Sequence, residues 1–89
     1  MTKRVKLEII RDILETINNN RNAIKYTPLL RRSNLSSGRF KEYYLDLIEK
    51  SMIKEVNLAK GKTVSLTGKG FKFLEKYKAI NSFIEEFEL

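Results

Sequence analysis

Cysteine and histidine are both missing from the 89 residues. Without thiols there is no disulfide, no thiolate nucleophile and no haem attachment, and without either residue type there is no Cys/His zinc site. The chain is therefore not a disulfide-stapled secreted scaffold, and the lack of cysteine fits an intracellular protein. Proline occurs once and glycine four times, too few for a low-complexity linker. Long apolar runs are also missing. After the basic stretch Met1 to Lys6, apolar and charged residues alternate, which excludes a signal-peptide core and a membrane span. The expectation is a soluble, untargeted, cytoplasmic chain. The usual catalytic bases and nucleophiles are largely gone and no phosphate loop is present, so no enzyme is expected. Nor does the sequence call for a cofactor, a metal or a small-molecule ligand.

What the chain does have is positive charge. Eighteen Lys and Arg against eleven Asp and Glu give +7. Glu85, Glu86 and Glu88 lie in the last five residues, so up to Lys78 all eighteen bases face only eight acids. Such an excess favours a polyanionic partner. The plainer alternative is a lysine-rich surface that keeps the protein soluble, in a genome favouring Lys, Ile and Asn codons. With 42% hydrophobic and 33% charged residues, the chain has the composition of one small folded domain.

From Arg4 to Asn18, Val5, Ile9, Ile10, Ile13, Leu14 and Ile17 recur at the spacing of one helical face. Asn18, Asn19 and Asn20, poor helix formers that tolerate left-handed backbone, are the expected terminator. Ala23 to Tyr26 reads as a short strand with Ile24 and Tyr26 half-buried. A second helix is predicted from Pro28, capped by Thr27, with Leu29 and Leu30 inward and Arg31 and Arg32 outward, ending at Ser33 and Asn34. Ser36 or Ser37 then caps a third helix. In it Phe40, Tyr44, Leu47, Ile48 and Ser51 share the inner side, and Arg39, Glu42, Tyr43, Asp46 and Lys50 the outer.

Val56, Leu58, Val64 and Leu66 alternate with polar residues on either side of Ala59, Lys60 and Gly61. A three-residue loop with Gly61 left-handed would set Val56 opposite Val64. Thr67 can cap a last helix in which Phe73, Tyr77, Ile80, Ile84 and Phe87 advance by four, three, four and three, a heptad seam. At 1.5 Å per residue the helix from Gly70 to Phe87 is about 27 Å long, more than so small a domain can cover. Either Phe73 and Leu74 pack on the core and the end frays, or the stripe pairs with a second copy.

The order helix, short strand, short helix, turn, helix, hairpin, helix is that of a winged helix-turn-helix: mainly α, with a small β-hairpin wing and a C-terminal dimerisation helix. Residues 1–67 are expected to form the DNA-binding unit and residues 68–89 the dimerisation helix of one structural domain. Between Lys25 and Lys41 stand five bases, Lys25, Arg31, Arg32, Arg39 and Lys41, and no acid. In this fold the N-terminal part of the second helix of the motif meets base edges while the preceding helix crosses the backbone. Ser36 and Ser37, with the free N–H groups at the helix start, suit a phosphate, and Gly38 removes bulk beside them. Arg39 suits bidentate contact with guanine, and Tyr43 suits a thymine methyl or a sugar. Arg31, Arg32, Lys41 and the wing lysines Lys60 and Lys62 suit phosphates. Glu42, Asp46 and Glu49 would repel a phosphate backbone, so only the first half of that helix should enter DNA.

Ser33-Asn34-Leu35-Ser36, Tyr44-Leu45 with Leu47-Ile48, Met52-Ile53, and Leu66-Thr67-Gly68-Lys69-Gly70 with Leu74 together resemble the small archaeal winged-helix DNA-binding proteins, including the ten-kilodalton chromatin-associated type of Sulfolobus. The resemblance spans nearly the whole chain. It implies an antiparallel coiled coil with a twin chain through Phe73, Tyr77, Ile80, Ile84 and Phe87, spacing two DNA-binding heads. Ser37 stands where the family usually has an aromatic residue, and the last helix is shorter than in the coiled-coil members. The expected function is double-stranded DNA binding by a homodimeric, nucleoid-associated transcription regulator. The alternatives are an architectural protein with little sequence preference and a winged-helix module that binds protein.

Overall fold

The computed structural model describes residues 5–89, so the expected helical start at Arg4 and the basic residues before it lie outside the described residues. Six elements follow in order: α1 (Lys6–Asn19), α2 (Tyr26–Ser33), α3 (Ser37–Glu49), β1 (Ile53–Leu58), β2 (Gly61–Leu66) and α4 (Gly68–Glu86). This is the winged helix expected from the sequence.

The core is the inner stripe of α1 closed by the other elements. Ile9, Ile10, Ile13, Leu14 and Ile17 are all buried and pack with Leu29 of α2, Phe40, Tyr44 and Leu47 of α3, and Ile53, Val64 and Leu66 of the hairpin. Burial of an aliphatic or aromatic side chain contributes about 1.5–3 kcal/mol, so this cluster holds the three helices and the wing base as one body. Val5 does not join it. It is the N-cap of α1, 57% exposed, and its N–H donates to the Glu8 carboxylate at 3.4 Å.

Three local expectations are corrected by tertiary contacts. The left-handed residues after α1 are Arg21 and Asn22, at φ 59° and 56°, rather than the run Asn18 to Asn20. Asn22 is held there because its side-chain oxygen accepts from the Leu66 N–H at 2.7 Å and its carbonyl accepts from the Ser65 hydroxyl at 2.7 Å. The predicted strand shrinks to Ile24, which exchanges two backbone hydrogen bonds with Val64, at 3.2 and 2.7 Å. Tyr26 already belongs to α2, whose N-cap is Lys25, not Thr27. Its ring meets Phe40 edge-on at 5.2 Å and Tyr44 at 4.9 Å, so packing draws the helix start back by two residues. Pro28 remains in the first turn, where its missing N–H has no helical partner to lose.

The hairpin closes through two residues, Ala59 and Lys60, and its register sets Val56 opposite Thr63 and Glu55 opposite Val64. Gly61 has the expected positive φ, 121°. The shift by one residue follows from where Val64 is needed: on the inner face beside Ile53 and Leu66, with Ile24 bonded to it from the other edge. Ser51, expected on the inner side of α3, is instead the left-handed residue, φ 58°, that turns the chain from α3 into β1.

The Leu66-Thr67-Gly68-Lys69-Gly70 element is the joint between that turn and α4. The Thr67 hydroxyl donates to the Ser51 carbonyl at 2.5 Å and accepts from the Gly70 N–H at 3.2 Å, while Lys69 Nζ donates to the Lys50 carbonyl at 2.9 Å. Gly70 is buried so closely on the Met52 carbonyl oxygen that any Cβ would collide with it. Because the obstacle is backbone, Gly70→Ala is expected to destabilise by about 2–4 kcal/mol and lower Tm by roughly 10 °C or more. Gly38→Ala, whose Cβ meets nothing within 4 Å, serves as the control and should leave Tm unchanged or slightly raised. Thermal unfolding of the two variants checks this pair.

From the joint, α4 runs nineteen residues. Phe73 and Leu74 pack on the core. The helix continues beyond them to Glu86, and Ile80, Phe83, Ile84 and Phe87 are 38–59% exposed.

Candidate nucleic-acid interface

The turn between α2 and α3 is built by Ser33 and Asn34. The Ser33 hydroxyl donates to the Leu30 carbonyl at 2.6 Å and accepts from the Leu35 N–H at 3.2 Å, and Asn34 takes the left-handed conformation, φ 59°. Ser36 then caps α3, accepting from the Arg39 N–H at 3.2 Å. Of the two serines weighed for this cap, Ser36 makes it, so its oxygen is committed to the helix while the O–H proton can still be donated. The first turn of α3 holds no acid, and Ser37, Gly38, Arg39 and Lys41 are exposed. With open space over Gly38, this helix start presents N–H groups and the positive end of a dipole on an unobstructed surface.

Around this helix start the bases fall into two groups and a remainder. Arg39 and Tyr43, one turn apart, line a cleft with Lys6, Glu42 and Asp46. Lys41 is two residues beyond Arg39 and so about 200° around the helix; the two cations flank α3 from opposite sides instead of acting together. Asp46 accepts from Lys50 at 2.9 Å, which offsets one of the acids expected to repel phosphate. Glu42 and Glu49 remain exposed.

The second group gathers at the wing. Lys60 is exposed in the turn, and Lys62 lies 3.5 Å from the Glu55 carboxylate. Lys25 joins them: a Cβ on Gly61 would stand 3.7 Å from Lys25 Nζ. The sequence grouped Lys25 with the turn and the start of α3. The Ile24–Val64 bridge is what carries the next residue to the hairpin instead. Of the remaining bases, Arg31 is exposed, whereas Arg32 donates to the Asn20 side-chain oxygen at 3.3 Å and is engaged at the end of α1.

Lys6 was not among the residues singled out from the sequence. It is 33 positions from Arg39, and its one sequence signal is membership of the basic N-terminal run. Glu55 was missed for another reason: an isolated acid on a strand has no pattern. It accepts the Tyr44 hydroxyl at 2.6 Å, and this bond, with help from Lys62, holds its carboxyl below the usual carboxylate range. Burial, reinforced by the same carboxylate, pushes the Tyr44 hydroxyl far above the usual tyrosine range. Tyr44 therefore stays a donor and Glu55 an acceptor across the ordinary pH range.

Among the described residues no helix is long and apolar enough to cross a membrane.

A family model described as winged helix-turn-helix matches residues 3–85. No curated protein matches the chain. Among solved structures, the chain is similar to Sso10a-2, a DNA-binding protein from Sulfolobus solfataricus, with a TM-score of 0.73 at 18% identity, covering 96% of this chain and 86% of that one. It is also similar to the F93 protein from STIV, a winged-helix DNA-binding protein, with a TM-score of 0.72 at 21% identity, covering 88% and 90%. The matched family is described as winged helix-turn-helix, and both neighbours are described as DNA-binding proteins.

Proposed function

Because this chain belongs to the winged helix-turn-helix family, we propose that it binds double-stranded DNA as a homodimer, with the start of α3 in the major groove and the wing on the adjacent backbone. The observation that carries this reading is the pairing of an acid-free, capped helix start with a separate cluster of lysines at the wing tip. One duplex can take both, since phosphates lie on either side of a groove that admits a helix. In this reading Arg39, Ser37 and Tyr43 face base edges, Ser36 donates to a phosphate at the helix start, and Arg31, Lys41, Lys25, Lys60 and Lys62 serve phosphates, whereas Arg32, expected among them from the sequence, is held by Asn20. Lys6, beside Arg39, adds to the same surface. Nucleoid association in the cytoplasm is the corresponding location.

Homodimerisation is supported by α4. Ile80, Ile84 and Phe87 continue the heptad of Phe73 and Tyr77 past the edge of the core and are exposed in the single chain. Charge supports an antiparallel arrangement. Between Lys69 and Lys78 α4 carries four lysines, Lys69, Lys72, Lys76 and Lys78, against the single acid Glu75, whereas Glu85, Glu86 and Glu88 lie in the last five residues, so opposed helices set mostly unlike charges side by side.

Regulation at defined sites is the first reading. The exposed acids Glu42 and Glu49 on α3 favour a second, an architectural role with little sequence preference, because they limit how much of that helix can lie against bases. Binding to a pool of random duplexes and to duplexes selected from it separates the two. For a regulator, Arg39→Ala is expected to cost about 1–3 kcal/mol on selected sequence and little on random DNA, while Lys60→Ala weakens all duplexes alike. Equal losses on both pools from both variants favour the architectural role. No binding to any duplex at low salt leaves a protein-binding module.

A further inference from the structure

The wing leaves the body of the domain at Glu55. On its base Ile53, Val64 and Leu66 are buried, whereas Asn57, Leu58, Lys60, Gly61 and Lys62 beyond it are exposed. At that boundary the Glu55 carboxylate accepts the Tyr44 hydroxyl from α3 at 2.6 Å and meets Lys62 of β2 at 3.5 Å. Register explains the triangle. Glu55 opposes Val64, so both point toward the helices, and Lys62, two residues along β2, shares that face. One carboxylate thus ties together α3 and both strands of the wing.

Tyr44 is suited to the other end of this tie. It is 4% exposed, with its ring 4.9 Å from Tyr26 and 5.8 Å from Phe40, so the core sets the position of its hydroxyl. A hydrogen bond to an ionised acceptor is among the stronger ones, and here it spans two elements whose covalent link is the short turn Lys50 to Met52. Resting on the DNA-binding reading above, we propose that Tyr44 and Glu55 are positioning residues of the DNA-binding surface: their bond fixes the wing at one angle to α3, so that Lys60 and Lys62 reach phosphates while the helix start occupies the groove. The carboxylate itself touches no DNA. Its charge opposes phosphate, and it acts through the geometry it imposes.

Two variants break the tie while sparing the core. Tyr44→Phe keeps the ring, and Glu55→Ala removes an exposed side chain. Glu55→Gln keeps an acceptor for Tyr44 and removes the charge. Duplex affinity is measured over a salt series for these proteins, for the wing variant Lys60→Ala/Lys62→Ala, and for the wing variant carrying Tyr44→Phe. Releasing one lysine from its phosphate at 0.1 M salt costs roughly tenfold and flattens the log–log salt slope by about 0.9. Tyr44→Phe and Glu55→Ala are therefore expected to bind up to about tenfold more weakly per wing lysine disengaged, with a flatter slope. Glu55→Gln should bind as well as the parent or better. In the wing variant, Tyr44→Phe should change nothing further.

A parent-like slope for Tyr44→Phe, or the same fold loss with and without the wing lysines, overturns the positioning role. Amide exchange at residues 56–63 tests the tie without DNA: it should quicken in Tyr44→Phe relative to core amides of α1, and unchanged rates there also overturn the proposal. If the parent binds no duplex, the DNA reading fails, and the exchange rates alone decide whether the tie orders the wing.

Discussion

Raising salt from 50 to 200 mM is expected to weaken binding to random duplex by roughly 500-fold if one head engages, and by about 10⁵-fold if both heads of a dimer engage the same DNA. The figures follow from the phosphate partners proposed for each head. Lys25, Arg31, Lys41, Lys60 and Lys62 make five, which corresponds to a log–log slope near −4.5, and two heads double it to about −9. Arg32 is left out because Asn20 engages it, and Arg39 because it faces bases in this reading. The slope thus counts heads as well as charges. A slope near zero would remove phosphate neutralisation as the source of binding and leave the basic excess of the chain as a matter of solubility. Fluorescence anisotropy on a labelled random duplex at four or five salt concentrations is sufficient.

The second large effect concerns α4. Replacing Ile84 by Glu is expected to convert the dimer to a monomer, raising the dimer dissociation constant by at least about 10²-fold, because a carboxylate in an apolar seam must be desolvated without a partner. The single-chain fold should survive, since Ile84 is 38% exposed and lies beyond the core contacts of Phe73 and Leu74. Sedimentation velocity reads the mass and near-ultraviolet circular dichroism the core. The two predictions interlock: if both heads share one duplex, Ile84→Glu should also move the salt slope from about −9 to about −4.5. Retention of the parent mass by Ile84→Glu would refute pairing through this seam. A monomeric variant with an unchanged slope would mean that the two heads serve different duplexes, which is the geometry of a bridging protein.

The joint at Gly70 bears on both experiments. It sets the direction in which α4 leaves the domain, through Thr67 on the Ser51 carbonyl and Gly70 on that of Met52. In the dimer proposed above, the separation of the two heads would then depend on a contact made within one chain, ten residues before Ile80.

Much of the candidate site was legible where a residue's position depends on its neighbours in sequence. Ser36 capping α3, Arg39 and Lys41 near its start, the lysines of the wing tip and the threonine cap of α4 are local features, and local periodicity and capping chemistry suffice to find them. Lys25, Lys6 and Arg32 were not legible in the same way. Their positions depend respectively on the Ile24–Val64 bridge, on the packing that brings the start of α1 beside α3, and on the Asn20 side chain. Glu55 is the extreme case, because its partner Tyr44 reads in sequence as an ordinary core aromatic.

The sequence alone determined the order of elements, the inner stripe of α1, the excess of positive charge and the heptad of α4, since each is a periodicity or a sum along the chain. Tertiary structure decided the hairpin register, the start of α2 at Tyr26 and the grouping of cations into a helix-start set and a wing set. Those follow from burial of Val64 and the edge-on packing of Tyr26 against Phe40 and Tyr44, contacts between residues far apart in the chain. A one-residue shift changes no local propensity, yet it turns a strand's side chains to the other face. In this protein that shift is what turns Glu55 toward Tyr44.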